Sequence, residues 1–257
     1  MATALVTGGT SGIGLAFARA LARMGDDLIL VARDQERLTE TAADLHARFA
    51  VNVETLVADL TLRNDINKVR LRLLDDAHPV DTLVNNAGFG LHTPLLDADM
   101  SIQEQAMTAM MTAVLLLSNA AARSMKERAK GTIINVSSAS SWIYTGNYSA
   151  IKRWVLSYTQ ALALELEGTG VRVVVTCPGW AKTRFHERSG VARPKLPEFA
   201  WVKPEQVAKE ALSCAAVGQV VSIPSHTWKI ALWIAQHGPQ SITHWFSRKI
   251  SRSRALK

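Results

Sequence analysis

Cysteine is scarce: Cys177 and Cys214 are the only two in 257 residues. Two thiols cannot build a disulfide framework, and their surroundings lack the spacing of a zinc or redox motif, so a reducing, cytoplasmic location is expected. The seven histidines are scattered. Without ligand spacing they imply no metal site. No repeat, low-complexity block or linker interrupts the chain, and no positively charged leader precedes the first apolar segment, Met1 to Thr7, which argues against a signal peptide. Long apolar runs are also few. Gln105 to Ala122 has no charge, but Gln105, Thr108, Thr112, Ser118 and Asn119 would be expensive in lipid, so it reads as a helix buried in a soluble protein. Acids are outnumbered, 22 to 29, giving a net charge of +7. The bases gather between Lys182 and Lys203 and in the tail (Arg248, Lys249, Arg252, Arg254, Lys257) without stacking aromatics or a helix-turn-helix. No nucleic-acid partner is expected; a solvated face, or attraction for a phosphorylated cofactor or acidic substrate, accounts for them.

What is present is ordinary globular composition, 48% hydrophobic and 20% charged, at a length near the upper end of one α/β domain. Short β-branched runs predict strands at Ala4–Val6, Asp27–Val31, Val53–Val57, Thr82–Val84, Thr132–Val136, Val171–Thr176 and Gln219–Ile223. Amphipathic stretches between them predict helices at Ile13–Arg23, Gln35–Phe49, Ser101–Glu127, Tyr148–Glu167 and Pro204–Ala216. Seven strands joined through helices require crossover connections. The expected fold is therefore α/β, a doubly wound seven-stranded parallel sheet flanked by helices, in a single domain over 1–257 that ends in a short helical tail from about 224. In such sheets ligands bind beyond the carboxyl ends of the strands.

The strand ends carry the motifs. After the first strand stands Thr7-Gly8-Gly9-Thr10-Ser11-Gly12-Ile13-Gly14, in which Gly8 permits a tight turn, Gly12 lets the backbone approach a pyrophosphate and Gly14 lets the helix pack on the sheet. That helix offers N–H groups and a positive dipole end to phosphates. At the second strand tip Arg33 would pair with a ribose 2'-phosphate and so favours NADP(H) over NAD(H); Asp34, one residue on, is the competing group and would favour NAD(H). Asp59, followed by Leu60, is placed either for an adenine edge or as a helix cap. Asn86-Ala87-Gly88 after the fourth strand allow close backbone contact with a nucleotide.

Tyr148 and Lys152 are four apart, on one face of a helix. A tyrosine near pKa 10 is a poor acid-base group at neutral pH, but a cation about 4 Å away at an effective dielectric of about 20 contributes about 4 kcal/mol, roughly three pKa units. Ser138, after the fifth strand, supplies a hydroxyl for a carbonyl oxygen. Pro178-Gly179 with Thr183 close the sixth strand.

Together the glycine motif, Asn85-Asn86-Ala87-Gly88, Ser138, Tyr148 with Lys152, and Pro178-Gly179 with Thr183 resemble the short-chain dehydrogenase/reductase family, a Rossmann-fold family, over about residues 2–223. The run after Asn86 and the segment Trp201 to Ala208 are similar to its 3-oxoacyl and hydroxysteroid reductases. The resemblance implies catalysis by Ser138, Tyr148 and Lys152. It implies cofactor contacts along Gly8, Thr10, Ser11, Gly12, Ile13 and Gly14, at Arg33, Asp59 and Leu60, at Asn86, Ala87 and Gly88, and at Pro178, Gly179 and Thr183, besides Tyr148 and Lys152. The reaction implied interconverts a carbonyl and a secondary alcohol, and the assembly implied is a homodimer or homotetramer.

Two positions depart from the family. The family's active-site Asn, which serves a water-linked proton relay with the Lys and which a thioether cannot replace, falls on Met110, and Ser138 and Tyr148 are ten apart where the family has about thirteen. A non-catalytic NADP(H)-binding sensor is therefore the rival reading. Phe89, Leu91, Trp142, Trp180 and Phe185 follow strand ends and predict an apolar pocket for a lipophilic carbonyl. Beyond Pro224, Trp228, Leu232, Trp233, Trp245 and Phe246 lie beside basic residues, a composition suited to a membrane surface or to packing on a partner subunit or over the cleft.

Overall fold

A computed structural model of the chain describes residues 1–91, 93–181, 198–241, 243–245 and 247–248. Seven parallel strands, β1 (Thr3–Thr7), β2 (Asp27–Ala32), β3 (Val53–Val57), β4 (Thr82–Asn85), β5 (Gly131–Val136), β6 (Val171–Thr176) and a last strand at Val221–Ser222, form one sheet. From one edge to the other they run β3, β2, β1, β4, β5, β6 and the last strand. The winding reverses between β1 and β4, so a crevice opens there at the carboxyl ends.

The strands read as near-continuous apolar runs because both faces are covered. One face packs on helices α2 (Gln35–Phe49) and, through Phe17 and Leu21, α1 (Gly12–Arg23); α7 (Pro204–Ala216) completes that side with Ala208 and Ala211. The other face meets α3 (Arg63–Leu73) and the long helical stretch from Ser101 to Glu127. α6 (Asn147–Glu165) carries Ile151 into the same core.

The predicted helix over Ser101–Glu127 is two helices joined by a wider turn. α4 (Ser101–Met107) and α5 (Ala113–Glu127) flank a π turn at Thr108–Thr112, closed by Ala113 N–H on Thr108 O. This stretch is long and apolar enough to cross a bilayer, yet Ala106, Met110, Ala113, Leu117 and Ala121 lie in the sheet core. Its apolarity serves packing between protein surfaces.

Three other expectations change. The seventh strand is two residues long, not Gln219–Ile223: Gln219 N–H closes on Cys214 O at the end of α7, and Pro224 cannot extend a ladder. No helix was expected over Arg63–Leu73, where only Ile66, Val69 and Leu73 are buried among charged residues. A second, two-stranded parallel sheet pairs Trp180–Ala181 (β7) with Trp201–Val202 (β8), making Val221–Ser222 β9. The predicted helical tail contains α8 (His226–His237), and the described residues of 240–248 are also helical.

Candidate active site

The β1–α1 turn follows the glycine pattern. Gly8 and Gly12 have φ of +67° and +55°, left-handed values that cost a side-chain-bearing residue. A Cβ on Gly14 would collide with Gly8 O, so only glycine lets α1 approach the turn. Thr10 and Ser11 lie on the turn and Ile13 in the first turn of α1, whose N-cap is Ser11 and whose first turn has no acid. The first N–H groups of a helix lack intrahelical partners, and here nothing acidic neutralises the dipole end. A pyrophosphate fits this cradle.

Asn86 braces the cradle. Its side-chain amide donates to Thr7 O at 2.9 Å, while Thr7 Oγ1 accepts from the N–H groups of Asn86 and Ala87 at 2.9 and 3.0 Å. Its amide nitrogen therefore positions the glycine turn and is spent before any ligand arrives. Beneath it, Asn85 donates to Ser118 and Asn135, and Asn135 donates to Thr159, a buried polar chain through β4, β5, α5 and α6 that no sequence motif announced.

Asp34 is the N-cap of α2: it accepts Arg37 N–H at 3.1 Å and pairs with the Arg37 guanidinium at 3.3 Å. Arg33 projects from the strand tip, its side chain 70% exposed, and reaches Asp59 only loosely at 3.7 Å. Asp59 caps no helix; the N-cap of α3 is Leu62, and Asp59 Oδ1 holds the N–H and hydroxyl of Thr61 in a tight turn. Leu60 is buried in the core, so only its backbone is available to a ligand.

Around β5 and α6 the structure places Tyr148 and Lys152 one helical turn apart on α6, and Ser138 just beyond the end of β5. Gly146, at φ +85°, precedes α6, and the Ser149 hydroxyl locks this turn by accepting Thr145 N–H and donating to Gly146 O. Tyr148 thus sits in the first helical turn and Lys152 one turn deeper. Lys152 Nζ donates to Val136 O at 2.9 Å and lies 5.8 Å from the centroid of the Tyr148 ring. Burial lowers its ammonium from 10.5 to about 8, with Cys177 pulling in the other direction.

Ser138 is the N-cap of a short 3-10 turn, Ala139–Trp142, its Oγ accepting Ser140 N–H at 3.1 Å. Ser137, its neighbour, is buried and donates to Lys152 O at 2.6 Å. Cys177 completes the bed of the lysine. Burial pushes its thiol up to about 12, which keeps it neutral and unreactive. The sequence offers Ser137 only beside Ser138 as a carbonyl-holding hydroxyl and Cys177 only as a lone thiol; their place against Lys152 depends on contacts between segments distant in the chain.

Pro178 and Gly179 follow β6, and a Cβ on Gly179 would collide with the indole of Trp228, which packs on it from α8. Thr183, Phe185 and most of the basic segment from Lys182 lie outside the described residues. Of the expected pocket aromatics and aliphatics, Leu91 and Trp142 are buried in packed clusters. Phe89 and Trp180 are half-buried. Met110 is buried within the π turn, and a Cβ on Gly88 would stand 2.9 Å from its sulfur. The thioether fills the space under the Asn86-Ala87-Gly88 turn, so a side chain at position 88 would have to displace it.

A doubly wound sheet that reverses its winding beside a glycine turn and an acid-free helix end is the architecture of dinucleotide-binding α/β proteins. A family profile described as short chain dehydrogenase matches residues 2–193, and the chain is a member of that family. It is 38% identical over 186 residues to sulfoacetaldehyde reductase 2 of Chromohalobacter salexigens, covering 70% of this chain and 73% of the relative. It is 29% identical over 221 residues to the very-long-chain 3-oxoacyl-CoA reductase of Bos taurus, covering 83% and 68%. A short-chain dehydrogenase from Sphingobium yanoikuyae in complex with NADPH superposes with a TM-score of 0.83 at 34% identity, covering 94% and 96%. The protein is an oxidoreductase acting on CH–OH and carbonyl groups, with a 3-oxoacyl reductase-like relationship, in a family that binds NAD(P).

Proposed function

We propose that this enzyme reduces a lipophilic carbonyl to a secondary alcohol with NADPH, and runs the reverse oxidation with NADP, using Tyr148 as acid and base. The observation that carries this reading is the buried Lys152 ammonium held one helical turn from Tyr148. In reduction Tyr148 Oη gives its proton to the carbonyl oxygen, and the nearby ammonium stabilises the phenolate left behind. Ser138 keeps its hydroxyl proton for the same oxygen, since its lone pair is engaged by Ser140 N–H. When bound, the nicotinamide supplies the hydride that goes to the carbonyl carbon. In the reverse direction the phenolate takes the proton.

The cradle of Gly8, Thr10, Ser11, Gly12, Ile13 and Gly14 holds the pyrophosphate in this reading. Asp59 and the Leu60 backbone face the adenine; Ala87 and Gly88 allow close approach; Lys152, Pro178, Gly179 and Thr183 receive the nicotinamide ribose and carboxamide. Arg33 pairs with the 2'-phosphate, a choice favoured by the engagement of Asp34 in capping α2. Arg33→Ala is expected to erase a preference for NADPH of roughly ten-fold to a hundred-fold, the worth of one Arg–phosphate hydrogen bond. Equal affinities for NADPH and NADH in the unmodified enzyme, by fluorescence titration, would sink the assignment.

A lipophilic substrate is supported by half-buried Phe89 and Trp180 at strand ends and by the similarity to a very-long-chain acyl reductase; the likeness to a sulfoacetaldehyde reductase points instead to a small anionic one. Following NADPH absorbance at 340 nm against long-chain, polycyclic and small anionic carbonyls tests the choice. A small polar carbonyl as best substrate overturns it. Assembly as a homodimer or homotetramer in the cytoplasm is proposed through α5 and α6. There Leu115 and Leu164 are exposed and Trp154 stacks on Tyr158 at 4.9 Å.

Met110 need not impair this chemistry. The π turn takes backbone carbonyls out of the regular i to i−4 pattern beside the site, so one of them can hold a relay water in place of an amide side chain. Met110→Asn is therefore expected to change kcat by less than about three-fold, under about 0.7 kcal/mol. A rise of about ten-fold or more would show that the relay is broken in this chain.

A further inference from the structure

We propose that Ser141, on the short turn between Ser138 and Tyr148, is a positioning residue that acts through Ser137 on Lys152. The inference rests on the assignment of Tyr148 and Lys152 as the proton-transferring pair, and adds the device that holds the lysine.

Two consecutive residues at the end of β5 grip Lys152 at both ends. Val136 O accepts from its ammonium at 2.9 Å, and the Ser137 hydroxyl donates to its backbone carbonyl at 2.6 Å. A flexible four-carbon stem fixed at the backbone and at the tip keeps little freedom. The Ser137 hydroxyl has a single proton, and Lys152 O takes it. Its 2.8 Å contact with Ser141 Oγ is therefore a hydrogen bond that Ser141 donates, which makes a one-way series from Ser141 to Ser137 to Lys152. All three residues are buried. The neutral thiol of Cys177 lies against the same Ser137 hydroxyl and adds no charge to the series.

Ser141 has further anchors of its own. Its N–H donates to Ser138 O at 3.0 Å, and its carbonyl accepts from the guanidinium of Arg153, the residue after Lys152, at 3.3 Å. The turn Ala139–Trp142 is thus tied to α6 at two consecutive residues, while Ala139 N–H fixes its start to Pro178 O at 2.9 Å. Ser138 caps the same turn. The bonds through Ser141 therefore set the capping serine and the lysine together, across a loop shorter than the family's usual one.

The test compares Ser137→Ala, Ser141→Ala, the double variant and Tyr148→Phe in the full chain. Single-turnover oxidation of NADPH at 340 nm is followed in H2O and D2O with the best substrate among long-chain, polycyclic and small anionic carbonyls. Ser137→Ala is expected to slow reduction about ten-fold or more, as a misplacement on the order of 1 Å would, and Ser141→Ala to slow it less. In both, the solvent isotope effect should rise, because the proton transfer from Tyr148 becomes the slow step. Lost packing alone would lower the melting temperature without that rise. The double variant should be no slower than Ser137→Ala, since Ser141 acts through that hydroxyl. The proposal fails if the isotope effect stays unchanged in the folded variants, or if the two single effects add. Should Ser137→Ala not fold, Ser141→Ala decides, because it leaves the bond to Lys152 O in place. Turnover retained in Tyr148→Phe, or no carbonyl reduced by the unmodified chain, would instead overturn the acid-base assignment and the proposal with it.

Discussion

Tyr148→Phe is expected to lower kcat by about 10²- to 10⁴-fold, the usual worth of a positioned acid-base group, while leaving the affinity for NADPH within about two-fold. The substitution removes one hydroxyl from a ring that keeps its place in the first turn of α6, set by Gly146 and the Ser149 bonds. The Lys152 ammonium stays where it is, because its hydrogen bond to Val136 O holds it without help from the phenol. Single-turnover hydride transfer at 340 nm and fluorescence titration separate the two effects. Turnover retained in Tyr148→Phe would disprove the acid-base role, and an unmodified protein that binds NADPH yet reduces no carbonyl would support the sensor reading.

Lys152→Met is expected to abolish most turnover and to stabilise the cofactor-free protein at pH 7. Burial brings the ammonium from 10.5 to about 8, which corresponds to about 3 kcal/mol of destabilisation whenever both states are protonated. Loss of the hydrogen bond to Val136 O returns about 1 kcal/mol of that. A net gain of about 2 kcal/mol, or several degrees in melting temperature, remains. Between pH 8 and 10.5 the unfolded chain holds the Lys152 proton that the folded chain has released, so the unmodified protein gains stability as pH rises and the gap closes by about pH 10.5. The penalty is complete below about pH 8. Urea unfolding of both proteins at pH 7 and pH 10 checks this; a variant no more stable at pH 7, or a gap that ignores pH, would overturn it. Loss of turnover alongside a gain in stability would identify a charge retained for chemistry.

The tail shows where sequence reasoning stopped. For the helix from Ser101 the polar residues Gln105, Thr108, Thr112, Ser118 and Asn119 already favour packing over lipid, and burial of Met110, Leu117 and Ala121 places it in the core. The apolar residues of the tail suit lipid and packing alike, and composition cannot separate those environments. Burial of Leu232 opposite exposed Trp233 divides the tail between core and surface. The π turn was hidden because a single widened turn leaves no mark in a periodicity read over several turns. The short 3-10 turn at Ala139–Trp142 and the two-residue β7 and β8 fall below the length at which a pattern can be counted.

By itself the sequence determined the doubly wound sheet, the glycine turn and the Tyr148–Lys152 pair, since each depends on residues close together in the chain: β-branched runs, left-handed glycine positions, a four-residue helical spacing. Only the tertiary structure decided that Asp34 caps α2 and leaves Arg33 at the strand tip, and that Asn86 braces the cradle from β4. Likewise, only folding shows that Ser137 and Cys177 form the bed of Lys152. The competition between Arg33 and Asp34 turns on one residue of strand end and one N–H three residues on. The lysine bed is built by β5, α6 and β6, whose contributions lie up to forty residues apart and become neighbours only when the sheet closes.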